Sequence, residues 1–94
     1  MKLLKVVKST RPGKKWMAVF DNNGRTKTTH FGDSSANDFT LTGDTEAQER
    51  YWTRHKKDLS TNDPTRAGYL SLYLLWNKRT LSASIKDYKA HFNM

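Results

Sequence analysis

A chain of 94 residues has the length of one small domain, which leaves no room for a second catalytic domain or a deep cofactor cleft. The absence of cysteine excludes disulfides, thiolate metal sites and a cysteine nucleophile. The 17 Lys and Arg against 9 Asp and Glu give a formal charge of +8, which favours an anionic partner. We therefore expect a single basic domain over residues 1–94.

The charge is unevenly distributed along the chain. Residues 1–31 contain eight Lys and Arg and Asp21 as their one acid, whereas residues 32–48 contain four acids and no Lys or Arg. This asymmetry predicts a basic surface that faces a partner. The regularly spaced lysines of Met1–Lys8 rule out the apolar region of a signal peptide, and no stretch has the roughly 18 apolar residues of a membrane helix. We expect a soluble protein of a reducing, intracellular environment, without membrane contact.

The first third of the sequence predicts three antiparallel strands. The first strand runs from Leu3 to Thr10, and Arg11-Pro12-Gly13-Lys14 is typical of a turn. The second strand, Lys15 to Asp21, alternates apolar side chains between two faces. The Asn-Gly pair in Asn22–Arg25 indicates a hairpin that leads into a third strand, Thr26 to Phe31.

The rest of the chain predicts a connector and three helices. Gly32 to Gly43 is polar and acidic, which is typical of a connecting loop. A helix from about Thr45 to Asp58 is capped by Asp44 or Thr42, a second runs from Pro64 to about Trp76, and a third begins at Thr80 or Ser82. The predicted core consists of Val6, Val19, Phe20, Tyr51, Leu70, Leu74, Tyr88 and Phe92. Strands followed by helices predict an α+β fold: an N-terminal three-stranded antiparallel β-meander with three α-helices packed on one sheet face.

Neither a metal site nor a catalytic site is indicated by the sequence. His30, His55 and His91 fall in three separate elements, without a second ligand at metal-binding spacing. The sequence contains no phosphate-binding glycine loop and no serine nucleophile elbow. We expect no catalytic residue, no metal and no cofactor, and therefore not an enzyme.

The basic residues of the meander are the first candidate anion-binding set. Its members are Lys5, Lys14, Lys15, Arg25 and Lys27, with Trp16 beside them. If they line one side of the sheet, they match surfaces that contact a phosphate backbone and stack bases. The alternative is that the tryptophan belongs to the core and that the lysines protect an edge strand from aggregation.

A second basic cluster lies in the first predicted helix. It contains Arg50, Arg54, Lys56 and Lys57. The two arginines share a helix face at a spacing of four, where like charges repel, and a bound anion would relieve that repulsion. The alternative is a solvated face on which Glu46 pairs with Arg50.

Several runs in the middle and C-terminal parts of the chain are distinctive. They are Thr29-His30-Phe31-Gly32, Asp38-Phe39-Thr40, Arg50-Tyr51-x-x-Arg54-His55-Lys56-Lys57-Asp58, Asn62-Asp63-Pro64-Thr65-Arg66-Ala67-Gly68-Tyr69-Leu70-Ser71, Leu74-Leu75-Trp76 and Asp87-Tyr88-x-x-x-Phe92. Together they resemble a family of short basic proteins of unassigned function from large double-stranded DNA viruses of algae and amoebae. The resemblance spans most of residues 16–92. It implies a viral origin and a virion-associated role, and it assigns no catalytic residue.

The expected function is non-catalytic binding in the virion or in the interior of the infected cell. Nucleic acid, contacted at its phosphates by Lys and Arg, is the leading partner, which calls for a contiguous positive stripe. The runner-up is a minor capsid or core protein that bridges larger virion proteins, which calls for a mixed patch with an apolar centre. A third possibility is that the acidic segment binds a host factor. The sequence leaves the oligomeric state open.

Overall fold

The computed structural model describes residues 1–94 as a three-stranded antiparallel sheet followed by helices. The strands are β1 (Lys2–Lys8), β2 (Lys14–Asn22) and β3 (Arg25–Asp33), hydrogen-bonded in the order β1-β2-β3. The predicted α+β class and the predicted meander are confirmed.

A two-residue turn joins β2 to β3. Asn22 lies opposite Arg25, so Asn23 and Gly24 form the loop, with φ angles of 54° and 86°. A hairpin turn with two positive φ angles follows the twist of the strands, and Asn and Gly are the residues that tolerate it. The carboxylate of Asp21 accepts a hydrogen bond from the Gly24 backbone N–H at 2.9 Å, which stabilises the turn.

A bulge at Leu4 interrupts the pairing of β1 with β2. Leu3 and Lys5 pair with consecutive residues of β2, so β1 carries one extra residue between them. The bulge resets the alternation of side chains, which brings both Leu3 and Val6 to the helix side of the sheet. Leu3 is therefore buried in the core and Leu4 is exposed. Strict alternation from Val6 predicts the reverse.

The sheet packs one face against the helices and leaves the other face uncovered. Ala18, Phe20 and Phe31 are fully buried on the inner face. Val19 pairs with Lys5 and Thr28 on the outer face and is partly exposed. The prediction that Val19 belongs to the core is wrong, because the alternation that buries its neighbours turns its side chain outwards.

Helical segments occupy the rest of the chain. They are α1 (Phe39–Thr42), α2 (Thr45–His55), α3 (Ala67–Leu70) and α4 (Leu81–His91), with a 3-10 helix Lys56–Thr61 after α2 and a π-helix Ser71–Leu75 after α3. The short α1 lies in the segment predicted to be a connecting loop. None of the helices combines the length and apolar character needed to cross a membrane.

Polar side chains cap these helices and set where they begin. Asp44 accepts hydrogen bonds from two N–H groups of the first turn of α2, and Thr80 accepts one from Ala83 at the start of α4. The helix predicted to begin at Pro64 begins instead at Ala67. Asp63 accepts hydrogen bonds from both the N–H and the hydroxyl of Thr65, which folds this stretch into a turn before α3.

The core forms where the inner sheet face meets the π-helix and α4. Of the residues predicted for it, Phe20, Leu70, Leu74 and Tyr88 are fully buried, which confirms them. Val6 and Phe92 pack against this core while partly exposed, and Tyr51 is partly exposed. The hydroxyl of Tyr88 donates to the carbonyl of Pro64 at 2.7 Å, so this buried phenol is satisfied.

Two glycines with nearly the same φ angle provide a test of how closely the sheet approaches the helices. Gly32 and Gly13 have φ angles of 81° and 83°. A Cβ on Gly32 would lie 2.9 Å from the Cδ1 of buried Leu75 and 3.2 Å from the Cβ of Lys15, whereas one on Gly13 meets nothing within 4 Å. We expect Gly13→Ala to cost about 1 kcal/mol for the left-handed backbone. Gly32→Ala should cost about 1–3 kcal/mol more, because it also overpacks the contact.

Urea unfolding of the two variants and the wild type measures both costs. Equal losses of unfolding free energy would contradict the close approach of Gly32 to Leu75.

Candidate nucleic-acid interface

The aspartates of this protein are engaged in its own structure. Six of the seven accept hydrogen bonds through their carboxylates: Asp21, Asp33, Asp38, Asp44, Asp63 and Asp87. The seventh, Asp58, has an oxygen 3.6 Å from the Nδ1 atom of His55. Most of the aspartates therefore serve turns and helix caps, and two of them, Asp38 and Asp63, also pair with Lys or Arg.

The acidic segment at residues 32–48 follows this pattern. The carboxylate of Asp33 accepts hydrogen bonds from the N–H and hydroxyl of Ser35, and the backbone N–H bond is the main cause that lowers the pKa of this carboxyl. Asp38 and Asp44 cap α1 and α2. Each aspartate of the segment thus has a local structural role.

Most of the basic side chains have no acidic partner. Lys15, Lys27 and Arg66 are the three of the 17 Lys and Arg that lie within 4.0 Å of a carboxylate, which leaves fourteen without an ion pair. Arg79 is also engaged, because its guanidinium donates to the carbonyls of Phe39 and Thr40. The positive charge of the protein is therefore carried by side chains that are free to bind an anion.

The basic residues of the meander do not share one side of the sheet. Lys5 lies on the outer face, whereas Lys27 pairs with Phe20 of the inner face. Arg25 is beside the β2–β3 turn, and Lys14 lies at the opposite end of the hairpin, across from Asp33. The five side chains therefore do not form the one-sided basic surface considered from the sequence, because strand alternation and the length of β2 separate them.

Two members of the predicted set make contacts within the fold. The Nζ atom of Lys27 donates to the hydroxyl of Thr65 at 2.7 Å and lies 3.8 Å from a carboxylate oxygen of Asp63. Trp16 packs against the core from the inner sheet face while partly buried, as the core interpretation expects. These contacts join β2 and β3 to the helical layer.

Lys15 forms the most buried ion pair of the protein. Its Nζ atom lies 2.6 Å from a carboxylate oxygen of Asp38, and the two side chains are 15% and 2% exposed. The same Nζ atom donates to the carbonyl of Ala36 at 2.6 Å. Asp38 also accepts from the N–H and hydroxyl of Thr40. Both charges are thus satisfied inside the protein, and Lys15 has little of its surface left for a ligand.

The second predicted cluster remains exposed. Arg50 and Arg54 project from α2, and Lys56 and Lys57 begin the 3-10 helix; all four are exposed and none forms an ion pair. The two arginines line a shallow depression of about 500 Å³ with Glu46, Glu49 and Thr53, but no ion pair joins Glu46 to Arg50. We call these four residues the α2 basic face.

A cleft of about 530 Å³ lies between the Lys14 end of the hairpin, α2 and α3. Lys14, Lys15, Arg54 and His55 line it, so it brings together residues from both predicted clusters. Three aspartates, Asp33, Asp38 and Asp58, lie in the same walls. The cleft thus contains the one place where the meander and the α2 basic face meet.

One wall of the cleft is a column of three rings. Tyr51 stacks between His55 and Trp76, with ring centroids 4.2 Å and 4.5 Å away and interplanar angles of 28° and 10°. Burial raises the pKa of the Tyr51 hydroxyl and outweighs the opposing effect of the Ser71 side chain. Ser71 is the first residue of the π-helix, and short π-helical turns are often found at functional sites.

Sequence patterns do not reveal this column in full. The spacing of Tyr51 and His55 places them on one face of α2, so this pair was accessible to prediction. Trp76 reaches them only through tertiary packing, since it lies beyond α3 in the chain. No three His, Asp or Glu side chains are grouped as metal ligands.

Fold and surface together define a small basic α+β domain whose aspartates are engaged within the fold and most of whose Lys and Arg are exposed. The chain belongs to a family of unknown function, DUF5754, whose model matches residues 4–55. That range takes in most of β1, the rest of the sheet, α1 and α2, while α3, the π-helix and α4 lie beyond it. No curated protein and no solved structure matches the chain.

Replacement of Lys15 tests whether it serves the fold. Lys15→Met leaves the carboxylate of Asp38 buried without its cation, and we expect a loss of about 2–4 kcal/mol in unfolding free energy. Lys14→Met removes the same charge from an exposed neighbour and should cost less than about 0.5 kcal/mol. Chemical denaturation measures both values, and a loss below 1 kcal/mol for Lys15→Met, on the order expected of a surface pair, would contradict the buried ion pair.

The pH dependence of stability tests the Asp63 contacts. The hydrogen bond from the Thr65 hydroxyl is the main cause that lowers the pKa of the Asp63 carboxyl, and Lys27 and Arg66 add to it. A carboxyl whose pKa is lower in the folded chain stabilises the fold above its unfolded pKa of about 4 and loses that contribution as the pH falls through the folded value. Asp63→Asn should therefore lower the unfolding free energy near neutral pH and have little effect at about pH 2.

Urea unfolding across this pH range measures the difference between variant and wild type. A difference that stays constant with pH would contradict an ionised, hydrogen-bonded Asp63.

Proposed function

We propose that this protein binds nucleic acid without catalysis, through exposed Lys and Arg side chains that contact phosphates. The observation that carries the proposal is the division of charge: fourteen basic side chains have no ion pair, while six of the seven aspartates accept hydrogen bonds within the fold. Such free cations release condensed counterions when they bind a phosphate backbone, which is the main source of affinity in sequence-independent binding.

The α2 basic face is the part of this surface best suited to phosphates. Arg50 and Arg54 repel one another at one helix face, and the acids beside them form no ion pair with them. An anionic backbone would lower that repulsion, and the exposed side chains of Lys56 and Lys57 extend the surface along the chain. Lys14, across the cleft, adds a contact from the sheet.

We propose a binding protein, not an enzyme, because the side chains that could act in catalysis lie apart from one another or are held in contacts with neighbouring rings. The Oγ atom of Ser9 lies 2.6 Å from the Nδ1 atom of His30, but no carboxylate lies within 4 Å to orient that imidazole. His55 is stacked on Tyr51, and His91 contacts the rings of Tyr73 and Phe92. A nucleophile, a base and an orienting group do not meet in one place.

The biological setting is also part of the proposal. The runs that resemble proteins of large double-stranded DNA viruses support a viral origin and a place in the virion or in the interior of the infected cell. A compact basic domain with free phosphate-binding side chains suits a component that accompanies a packaged genome.

Fluorescence anisotropy of labelled duplex and single-stranded DNA across a salt series tests the binding. The logarithm of the affinity should fall linearly with the logarithm of salt concentration, with a slope of about −0.9 per phosphate contacted on duplex. Arg50→Gln/Arg54→Gln should weaken binding about tenfold or more at low salt and make the slope shallower by about 2.

Lys78→Gln/Lys86→Gln is the matched control, since it removes the same charge from exposed residues outside the α2 basic face. It should weaken binding less than about threefold. Equal losses from the two double variants would mean that the charge acts in bulk. Absence of wild-type binding at low salt would overturn the proposed function.

The uncovered face of the sheet favours a second candidate, a minor capsid or core protein that bridges larger virion proteins. Val7, Met17 and Val19 are partly exposed there, with Lys2 and Lys5 beside them. This mixed patch with an apolar centre suits an acidic protein surface with an apolar patch of its own. This candidate would come first if the wild type binds no nucleic acid and if Met17→Glu abolishes binding to a virion protein.

A further inference from the structure

The ring column gives the cleft an accessible aromatic surface, which the exposed charged side chains alone do not provide. One face of the His55 ring stacks on Tyr51, while no other aromatic ring covers its second face, and the side chain is 39% exposed. A carboxylate oxygen of Asp58 lies 3.6 Å from Nδ1 of this ring. The column therefore ends in a flat, accessible surface at the cleft, on which a further planar ring can stack.

The charges around this surface favour an anion attached to that ring. Lys15 pairs with Asp38, Asp33 accepts a hydrogen bond from Ser35, and Asp58 lies 3.6 Å from the His55 ring. Lys14 and Arg54 line the cleft from the sheet and from α2 and form no ion pair. Lys14 and Arg54 are thus the two cations of the cleft that have no carboxylate within 4.0 Å.

The shape of the cleft is fixed by close backbone packing. A Cβ on Gly68 would lie 2.9 Å from the Cβ of Asp58, and one on Gly32 would meet Leu75 at the same distance. Both glycines line the cleft, so α3 approaches the 3-10 helix, and β3 approaches the π-helix, at positions where a larger residue does not fit. A volume of about 530 Å³ is in the range of sites for small planar ligands.

We propose that this cleft holds one unpaired nucleotide, with its base stacked on His55 and its phosphate between Lys14 and Arg54. A base in a duplex has both faces covered by its neighbours, so it cannot stack on a side chain, whereas an unpaired base can. The inference rests on the proposed function and adds to it that single strands are preferred over duplex. The nucleotide belongs either to a strand or to the free pool, since both present the same ring and phosphate.

Anisotropy with a labelled oligothymidylate and with a duplex of the same length tests the preference. The wild type should bind the single strand about tenfold more tightly than the duplex at the same salt concentration. His55→Ala should weaken single-strand binding about tenfold and duplex binding less than about threefold, because only the unpaired base loses its stacking partner.

His91→Ala is the control for the ring. His91 also contacts aromatic rings, in a tilted arrangement with Tyr73 and edge to face with Phe92, but it lies at the end of α4, outside the cleft. It should change neither affinity. Arg54→Gln and Lys14→Gln test the phosphate contacts from two different elements, so a folding defect in one variant does not decide the result. Lys86→Gln is their control, because Lys86 is exposed on α4, outside the cleft and the α2 basic face. Arg54→Gln and Lys14→Gln should each make the slope of log affinity against log salt concentration shallower by about 0.7 for the single strand, and the control should have a smaller effect.

The outcomes separate this inference from the proposed function. Wild-type binding with equal losses on single strand and duplex in His55→Ala would overturn the inference and leave the function standing. Absence of wild-type binding to either DNA would overturn the function itself. Thymidine 5′-monophosphate that displaces the strand from the wild type but not from His55→Ala would assign the cleft to free nucleotides; a strand that stays bound, yet depends on His55, would assign it to polynucleotide.

Discussion

The ion pair between Lys15 and Asp38 is the contact on which the arrangement of this protein depends. Asp38 is 2% exposed, caps α1 through Thr40 and accepts from the Nζ atom of a sheet residue. A buried carboxylate is stable only when its partners are in place. This requirement ties the end of the sheet to the segment that leads into α2, and both residues of the pair lie in the walls of the cleft.

The negative and positive side chains of this protein have different roles. Short Asp side chains reach the N–H groups of their own turn, so they are used for turns and caps. Long Lys and Arg side chains make few such local contacts and project into water. The net charge of +8 is therefore a surface property, and its accessible part lies mainly on the α2 basic face and on scattered positions of the sheet. The family match, which ends at residue 55, includes Lys14, Arg54 and His55 but not Trp76.

Much of the fold could be predicted from local patterns. Alternation and the Asn-Gly turn indicated the strands, and the caps indicated α2 and α4, because these signals act over a few residues. The bulge at Leu4 could not be predicted, since it depends on how β1 aligns with β2. Val19 was misplaced for the related reason that a residue type does not say which face of a sheet is covered. The start of α3 was missed because the Asp63 side chain bonds forward to Thr65.

The sequence by itself determined the class of fold, the charge excess and the exposed basic helix, all of which follow from composition and from spacing within one element. Only the tertiary structure decided which cations remain free and which rings meet. Lys15 and Lys27 form hydrogen bonds with residues that are 23 and 38 positions away in the chain. Tyr51 stacks on a tryptophan from beyond α3. Such contacts form because burial brings distant segments together, and a desolvated charge or ring then binds the nearest suitable group. No local pattern contains that information.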